Sequence, residues 1–396
     1  MTDYRFAKRV AAVPDAGIGT IMSYAAQFKD TISLGQGAPQ FPTPQFVYDQ
    51  LHQRSKVDPA LGMYNSTNDK IQLGLKELLA KDIAKKYGFT PSIDELYLTL
   101  GGIGGLFATL MSILEKGDEV VFFDPSYPLH LSQVYLTQAT PVFVPLKEDD
   151  NWAIDIERLQ KSITKKTKAI ILTNPNNPTG TILTKAQVQA LAQIILEHKL
   201  FLVLDEAYEY LTYEQPLFSP LLIPELRERT ILSKSFSKEY AMTGWRIGYV
   251  WAPSEIINKI HNVHLYFTIN PATVSIVAAT IVLSDPRGKK AMMQFVDQIR
   301  QSREVICQRI DGLKSLFTYT KPQGSFYLFP KILLPNSSGL DFAKRLVRET
   351  GVITVPGESM GPAGKGHLRL SFSAKPQLID RAFDRIDVFV KKLRLV

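Results

Sequence analysis

Between residues 119 and 251 the chain turns repeatedly from a short, unbroken apolar run to a helical stretch and back. The runs fall at 119–123, 140–145, 169–173, 200–204, 230–232 and 247–251. They are too short for core helices, and they do not alternate apolar with polar as a half-wet strand would. Such runs read as strands covered on both faces, which a mostly parallel sheet with helices above and below provides. The stretches 155–162 and 184–198 read as two of those helices, with Val188, Leu191, Ile194 and Ile195 at helical spacing in the second. Upstream, 45–60 and 70–87 also read as helices, the latter through Leu75, Leu78, Leu79 and Ile83. Residues 95–100 read as a strand ending in a loop, Gly101-Gly102-Ile103-Gly104-Gly105, with a helix over 106–114. Residues 1 to about 30 show no clear period, and the Gly- and Pro-rich stretch from Gly35 to Pro44 reads as a loop.

After about residue 285 the pattern changes. A helix from 289 to about 316 leads to an apolar strand at 325–329, a helix at 340–350, strands at 352–355 and 368–373, and a terminal helix from Pro376. A chain of 396 residues exceeds what one core comfortably serves. The expectation is an α/β protein with a three-layer large domain, 45–284, and a smaller α+β domain, 285–396. An N-terminal arm, 1–44, is expected to contribute to the small domain.

Composition narrows the classes. No apolar run approaches the ~20 residues of a membrane helix, and no apolar stretch follows Lys8 and Arg9 as a secretory signal requires. Cys307 is the only cysteine, so no intrachain disulfide forms and a reducing compartment, the cytoplasm, is the expectation. The net charge of +8 is spread out, and its cluster Lys165-Lys166-Thr167-Lys168 falls in a helix-to-strand connection. That distribution suits an anionic small ligand rather than nucleic acid. The six histidines show no i,i+4 pairing and no cysteine company, so no metal is expected.

Ligands of open α/β sheets bind beyond the carboxyl ends of the strands. Polar groups gather there in this sequence. The glycine run after 95–100 offers backbone N–H groups and a helix start to a phosphate. It is not a dinucleotide fingerprint, because Phe107 stands where Gly102-x-Gly104-x-x calls for Gly or Ala. A nicotinamide dehydrogenase is thereby set aside. The run 119–123 ends in Asp124-Pro125-Ser126-Tyr127, 169–173 in Asn174-Pro175-Asn176-Asn177-Pro178-Thr179-Gly180, and 200–204 in Asp205-Glu206-Ala207-Tyr208. The run 230–232 opens into Ser233-Lys234-Ser235-Phe236-Ser237-Lys238, then Gly244-Trp245-Arg246-Ile247-Gly248. A lysine can condense with an aldehyde and an acid can pair with a protonated pyridine nitrogen, the two needs of pyridoxal phosphate.

Ser235 to Gly248 resembles the lysine signature of class I aminotransferases, fold type I pyridoxal-phosphate enzymes, and Asn177-Pro178-Thr179-Gly180 and Asp205-Glu206-Ala207-Tyr208 resemble that family's Asn and Asp/Tyr motifs. The resemblance runs from about Ile32 to Ser373. It implies that Lys238 forms the Schiff base and moves the proton from Cα to C4′. Lys234 is its rival, but only Lys238 has Arg246 eight residues on and Ser235 three residues before it. Asp205 would keep the pyridine nitrogen protonated, and Tyr208 and Asn177 would hydrogen-bond the ring hydroxyl oxygen. Tyr127 would stack on the ring, while Gly102, Ile103, Ser235 and Arg246 would hold the phosphate. Tyr64 would reach the phosphate of a neighbouring subunit, implying a homodimer with shared sites. Arg369 would bind the substrate carboxylate, near the backbone of Gly37.

Three positions and one segment depart from the family: Ile103, where a side-chain donor is common; Asp69, where glycine is usual; Gln40, where Asp is usual; and Tyr266-Phe267-Thr268-Ile269-Asn270-Pro271, more apolar than is common there. The activity implied is transfer of an amino group between an L-amino acid and a 2-oxo acid. Alternatives on the same fold are a carbon–sulfur β-lyase and a regulatory binding protein. Tyr127, Tyr266, Phe267 and Tyr327 point to aromatic or large apolar substrates.

Overall fold

The computed structural model describes residues 5–14, 17–66, 69–335 and 337–393. Met1 to Tyr4 of the N-terminal stretch and Thr67 and Asn68 of the polar loop lie outside the described residues. The first eight strands are β1 (Ile32–Ser33), β2 (Leu96–Leu100), β3 (Glu119–Asp124), β4 (Thr140–Pro145), β5 (Thr167–Thr173), β6 (Phe201–Asp205), β7 (Thr230–Ser235) and β8 (Ile247–Trp251). Seven of them form one sheet in the order β2-β8-β7-β6-β5-β3-β4. Only β8 runs against its neighbours; every other adjacent pair is parallel. The carboxyl ends Leu100, Asp124, Thr173, Asp205 and Ser235 therefore share one edge.

The unbroken apolar runs follow from burial on both faces. Along β3, Val121 and Phe123 enter one core with Ile170, Leu172, Leu202 and Leu204. Val120 and Phe122 enter the other with Leu106, Leu110, Ala169 and Val203. Successive side chains alternate faces, so a strand covered twice is apolar at every position. Each such side chain contributes about 1.5–3 kcal/mol by leaving water.

Several expected boundaries move, each for a local reason. The glycine run is not a loop: the helix Gly101–Ile113 begins at its first residue. Its glycines permit close packing, since a Cβ on Gly105 would meet Val250 Cγ2 at 2.8 Å and Thr99 Oγ1 at 3.0 Å. The helix expected over 45–60 ends at Ser55 and is followed by a 3-10 turn, Pro59–Gly62, whose first N–H groups are met by Asp58. The helix expected from 289 starts at Pro286, capped by Asp285, and stops before Gly312. Strand 230–232 continues to Ser235, and the unassigned arm contains helices Lys8–Ala11 and Ile18–Ala25. Asp69, unusual beside the resemblance, caps the helix Lys70–Tyr87 by accepting from Ile71 N–H at 2.8 Å. Such a cap contributes about 1 kcal/mol.

A second core gathers Ile21 and Leu34 of the arm with Ile306, Phe326, Leu346 and Phe383. The arm joins it through β1, which pairs in parallel with Val352–Ile353. A three-stranded antiparallel sheet places Leu368–Ser371 between Tyr327–Leu328 and Val355–Pro356. Among the described residues no helix is long and apolar enough to cross a membrane, and no group of His, Cys, Asp and Glu could hold a metal.

Candidate active site

A cavity of about 520 Å³ opens at the carboxyl edge of the sheet, between the two cores. Strand ends deliver Asn177, Asp205, Tyr208, Ser235 and Lys238 to its wall; helix starts deliver Gly102, Ile103 and Tyr127. Gly37 of the arm, Arg246 and Arg369 complete the expected set within it. Tyr64 does not line this cavity; it is 87% exposed.

At one end the first turn of Gly101–Ile113 faces Arg246 and Ser235. Gly101 has φ +67°, and a Cβ there would strike Arg246 Nη2 at 2.7 Å. A Cβ on Gly102 would sit 3.2 Å from that of Ser235. Backbone N–H groups at a helix start, two serines and a guanidinium make a cradle for a dianion such as a phosphate. Arg246 Nη1 donates to Thr243 O at 2.9 Å and reaches Ser237 Oγ at 3.4 Å, leaving its other nitrogen toward the cradle. Ile103 supplies only its N–H to this end.

On the floor, Asp205 Oδ1 accepts from Ala207 N–H at 3.1 Å, and Oδ2 lies 3.2 Å from His130 Nε2. The turn thus orients the carboxylate while one face stays open to a protonated ring nitrogen. His130, buried and edge-on to Tyr127, was not foreseen. Its signal was its place three residues after Tyr127 at the first turn of a Pro-led helix, which points both side chains the same way. Tyr208 OH and Tyr327 OH are 2.9 Å apart, and burial raises the Tyr208 hydroxyl well above its ordinary pKa.

The two lysines separate clearly. Lys234 turns away, donating to Glu206 O at 2.9 Å and pairing with Glu209 Oε1 at 2.5 Å. Lys238 Nζ stays in the cavity and donates to Gly37 O. Burial, and then the positive charge of Arg369, pull Lys238 down to about 8, so a nucleophilic amine is populated near neutral pH.

Arg369 is 2% exposed, on the central strand of its sheet. Strands on both sides cover it, so it is not an exposed edge-strand arginine. Nη1 donates to Asn177 Oδ1 at 3.2 Å, Nη2 to Gly35 O at 2.8 Å, and the guanidinium lies over the Tyr327 ring. Its buried Nε has no partner, and among the described residues no carboxylate pairs with it. A buried cation in that condition calls for an anion. The residues present therefore fit pyridoxal phosphate: an anion cradle, an acid for a ring nitrogen, an amine of lowered pKa, and a cation spare for a carboxylate.

Outside the cavity, Tyr64 belongs to an exposed apolar patch with Met63, Tyr266 and Ile269. Asn65 donates to Thr273 Oγ1 at 2.6 Å and accepts from Asn270 at 2.5 Å, which ties the two segments together. Tyr266 and Phe267, read from sequence as lining the substrate site, do not line this cavity: Tyr266 is 88% exposed and Phe267 packs on Phe107.

Comparison with known proteins gives the same answer. The family model for aminotransferase class I and II matches residues 29–386. The aspartate aminotransferase of Pyrococcus horikoshii is 31% identical over 97% of both chains. Aromatic-amino-acid aminotransferase 2 of Thermococcus litoralis is 31% identical, covering 98% of this chain and 99% of its own. Among solved structures, the aromatic aminotransferase of Pyrococcus horikoshii superposes with a TM-score of 0.87 at 31% identity, over 95% of this chain and all of its own. The aspartate aminotransferase of Thermus thermophilus with maleate gives 0.89 at 28% identity, over 99% and 100%. With the fold, the anion cradle and a family match across nearly its whole length in agreement, this chain belongs to the class I and II aminotransferases, which depend on pyridoxal phosphate.

Proposed function

We propose that Lys238 anchors pyridoxal phosphate covalently and shuttles the α-proton of the substrate, while Arg369 holds the substrate carboxylate. The enzyme moves an amino group between an L-amino acid and a 2-oxo acid. The observation that carries the residue assignment is the contrast between Lys234, consumed by Glu206 and Glu209, and Lys238, lowered to about 8 inside the cavity. When bound, the cofactor supplies an electron sink for the pair released at the substrate Cα. Asp205, steadied by His130 and Ala207 N–H, would keep a positive charge on the ring nitrogen, and Tyr127 would cover one ring face. Tyr208 and Asn177 would hydrogen-bond the ring oxygen. Gly102, Ile103, Ser235 and Arg246 would hold the phosphate. Arg369 orients the substrate in two-point contact beside Gly37, which brings its Cα within reach of Lys238 Nζ. That amine takes the proton from one side of the substrate and returns it on the way to product.

The exposed patch around Tyr64 supports a homodimer in which Tyr64 reaches the phosphate of the other subunit. The arm 1–44 and residues 285–396 would act as one small domain, and the single buried cysteine supports a cytoplasmic setting. Incubating the loaded enzyme with an L-amino acid, with and without a 2-oxo acid, tests the reaction class. Turnover that consumes the oxo acid mole for mole without ammonia supports the reading. Ammonia and pyruvate released without any oxo acid would replace it with β-elimination.

A further inference from the structure

Part of the cavity lining is apolar. It is built by Ile18 and Met22 of the arm helix, Ile103 and Leu106 one turn into Gly101–Ile113, and Leu129. Ile18 and Met22 are four residues apart and share a helix face, as do Ile103 and Leu106 at three. The rotation of the arm helix is fixed from behind. Ile21 and Ala25 are buried in the second core, and the helix starts from Gly17 at φ +61°, where a Cβ would overlap Ser359. The face carrying Ile18 and Met22 is thereby turned to the cavity.

The cations near this space are already engaged. Arg369 is bound to Asn177 and Gly35 and faces the α-carboxylate, Arg246 serves the phosphate cradle, and Lys238 is the reacting amine. The Lys234 ammonium is held by Glu206 and Glu209. On this subunit's side of the site, among the described residues lining the cavity, no cation remains for a second substrate carboxylate. A carboxylate placed against Ile18, Met22, Ile103 and Leu106 would lose its hydration and gain no partner, whereas a phenyl or branched alkyl side chain would bury its surface there.

We infer that this enzyme selects L-amino acids with large, uncharged, apolar side chains and rejects aspartate and glutamate, and that the Ile18–Met22 face of the arm helix is its specificity-determining element. The inference rests on the aminotransferase reading and on Arg369 holding the α-carboxylate. It reaches the same substrate class that the aromatic residues suggested in the sequence, but through different side chains, since Tyr266 and Phe267 lie elsewhere.

The test uses the full-length, cofactor-loaded enzyme and two unreactive acids, 3-phenylpropionate and succinate, whose binding is measured by calorimetry. The expected result is 3-phenylpropionate tighter by about 100-fold, in the range that apolar pockets achieve. Equal or tighter binding of succinate would overturn the inference. Met22→Arg, at a position already 39% exposed, supplies the missing cation and is expected to move the ratio toward succinate by at least about tenfold. Ile18→Lys is the second variant. A ratio unmoved in both folded variants would remove the arm helix from its role. Bleaching of the cofactor absorbance by L-phenylalanine and by L-aspartate is followed in parallel. If 3-phenylpropionate binds tightly but neither amino acid reacts, the aminotransferase reading fails while the apolar pocket stands. If aspartate reacts faster than phenylalanine, the pocket assignment fails while transamination stands.

Discussion

Arg369 gives the sharpest perturbation. Methionine at this position keeps much of the volume on a buried strand and deletes the guanidinium. If the guanidinium meets the substrate carboxylate in two charge-assisted hydrogen bonds, each worth about 1.5–3 kcal/mol, Arg369→Met loses roughly 10²–10⁴ in kcat/KM. The substitution also leaves Gly35 O and Asn177 Oδ1 without their present donor, a folding cost of about 1–3 kcal/mol each. Thermal unfolding must therefore accompany the kinetics, and Arg369→Lys serves as a companion that keeps charge but loses the fork. The decisive assay is a double cycle. An amino acid is compared with the amine that lacks its carboxyl group, in wild type and in the variant. Wild type should prefer the amino acid by about the factor that the substitution removes, and the variant should handle the two within about threefold. Lys238, held down first by burial and second by Arg369, should shift upward in the variant while staying below an ordinary lysine. A folded variant that still prefers the amino acid by more than about tenfold would show the carboxylate to be held elsewhere.

Four further outcomes follow from the same geometry. Cofactor uptake by the apoprotein should accelerate with pH around a midpoint near 8, the value to which burial lowers Lys238. Because the unfolded chain keeps that proton up to about 10.5 while the folded chain releases it near 8, Lys238 should add stability as pH rises through that window; denaturant titrations of wild type against Lys238→Met at both ends check the sign. Lys234→Met should cost about 1–3 kcal/mol of stability, seen as a lower denaturant midpoint, by removing one of the two lysines that meet Glu209, where Lys86 remains at 2.5 Å, and the donor to Glu206 O, while the cofactor remains bound to the protein. Gly101→Ala should weaken cofactor binding in an equilibrium titration, since the left-handed backbone strain of about 1–2 kcal/mol adds to displacement of Arg246.

The sheet was legible because its strands are covered twice. Continuous apolar runs such as 119–123 and 247–251 cannot satisfy both faces in any other arrangement, and their ends fell within one or two residues except where β7 runs on to Ser235. The strand-end groups were legible for a related reason: a polar side chain directly after such a run emerges at the carboxyl edge, as Asn177, Asp205 and Lys238 do. What escaped the sequence depends on distant contacts. The arm helix has no informative period of its own, because one face meets a core assembled from residues near 306, 346 and 383 and the other meets the cavity. The glycines from 101 to 105 look like a loop until the approach of β8 shows that they make room for packing. His130 carried no motif, and Asp69 looked anomalous until the helix it caps was in view. Tyr266 and Phe267 are aromatic for a surface, and no local pattern separates that from a pocket lining.

The measurement that tests the account most directly is the site of covalent attachment. The protein loaded with pyridoxal phosphate is reduced with borohydride, digested, and the modified peptide fragmented in a mass spectrometer. The structure predicts a single pyridoxyl group on Lys238, absent when Lys238→Ala is treated in the same way. Modification of Lys234, or loading that survives the Lys238 substitution, would contradict the division of labour between the two lysines on which the proposed mechanism depends.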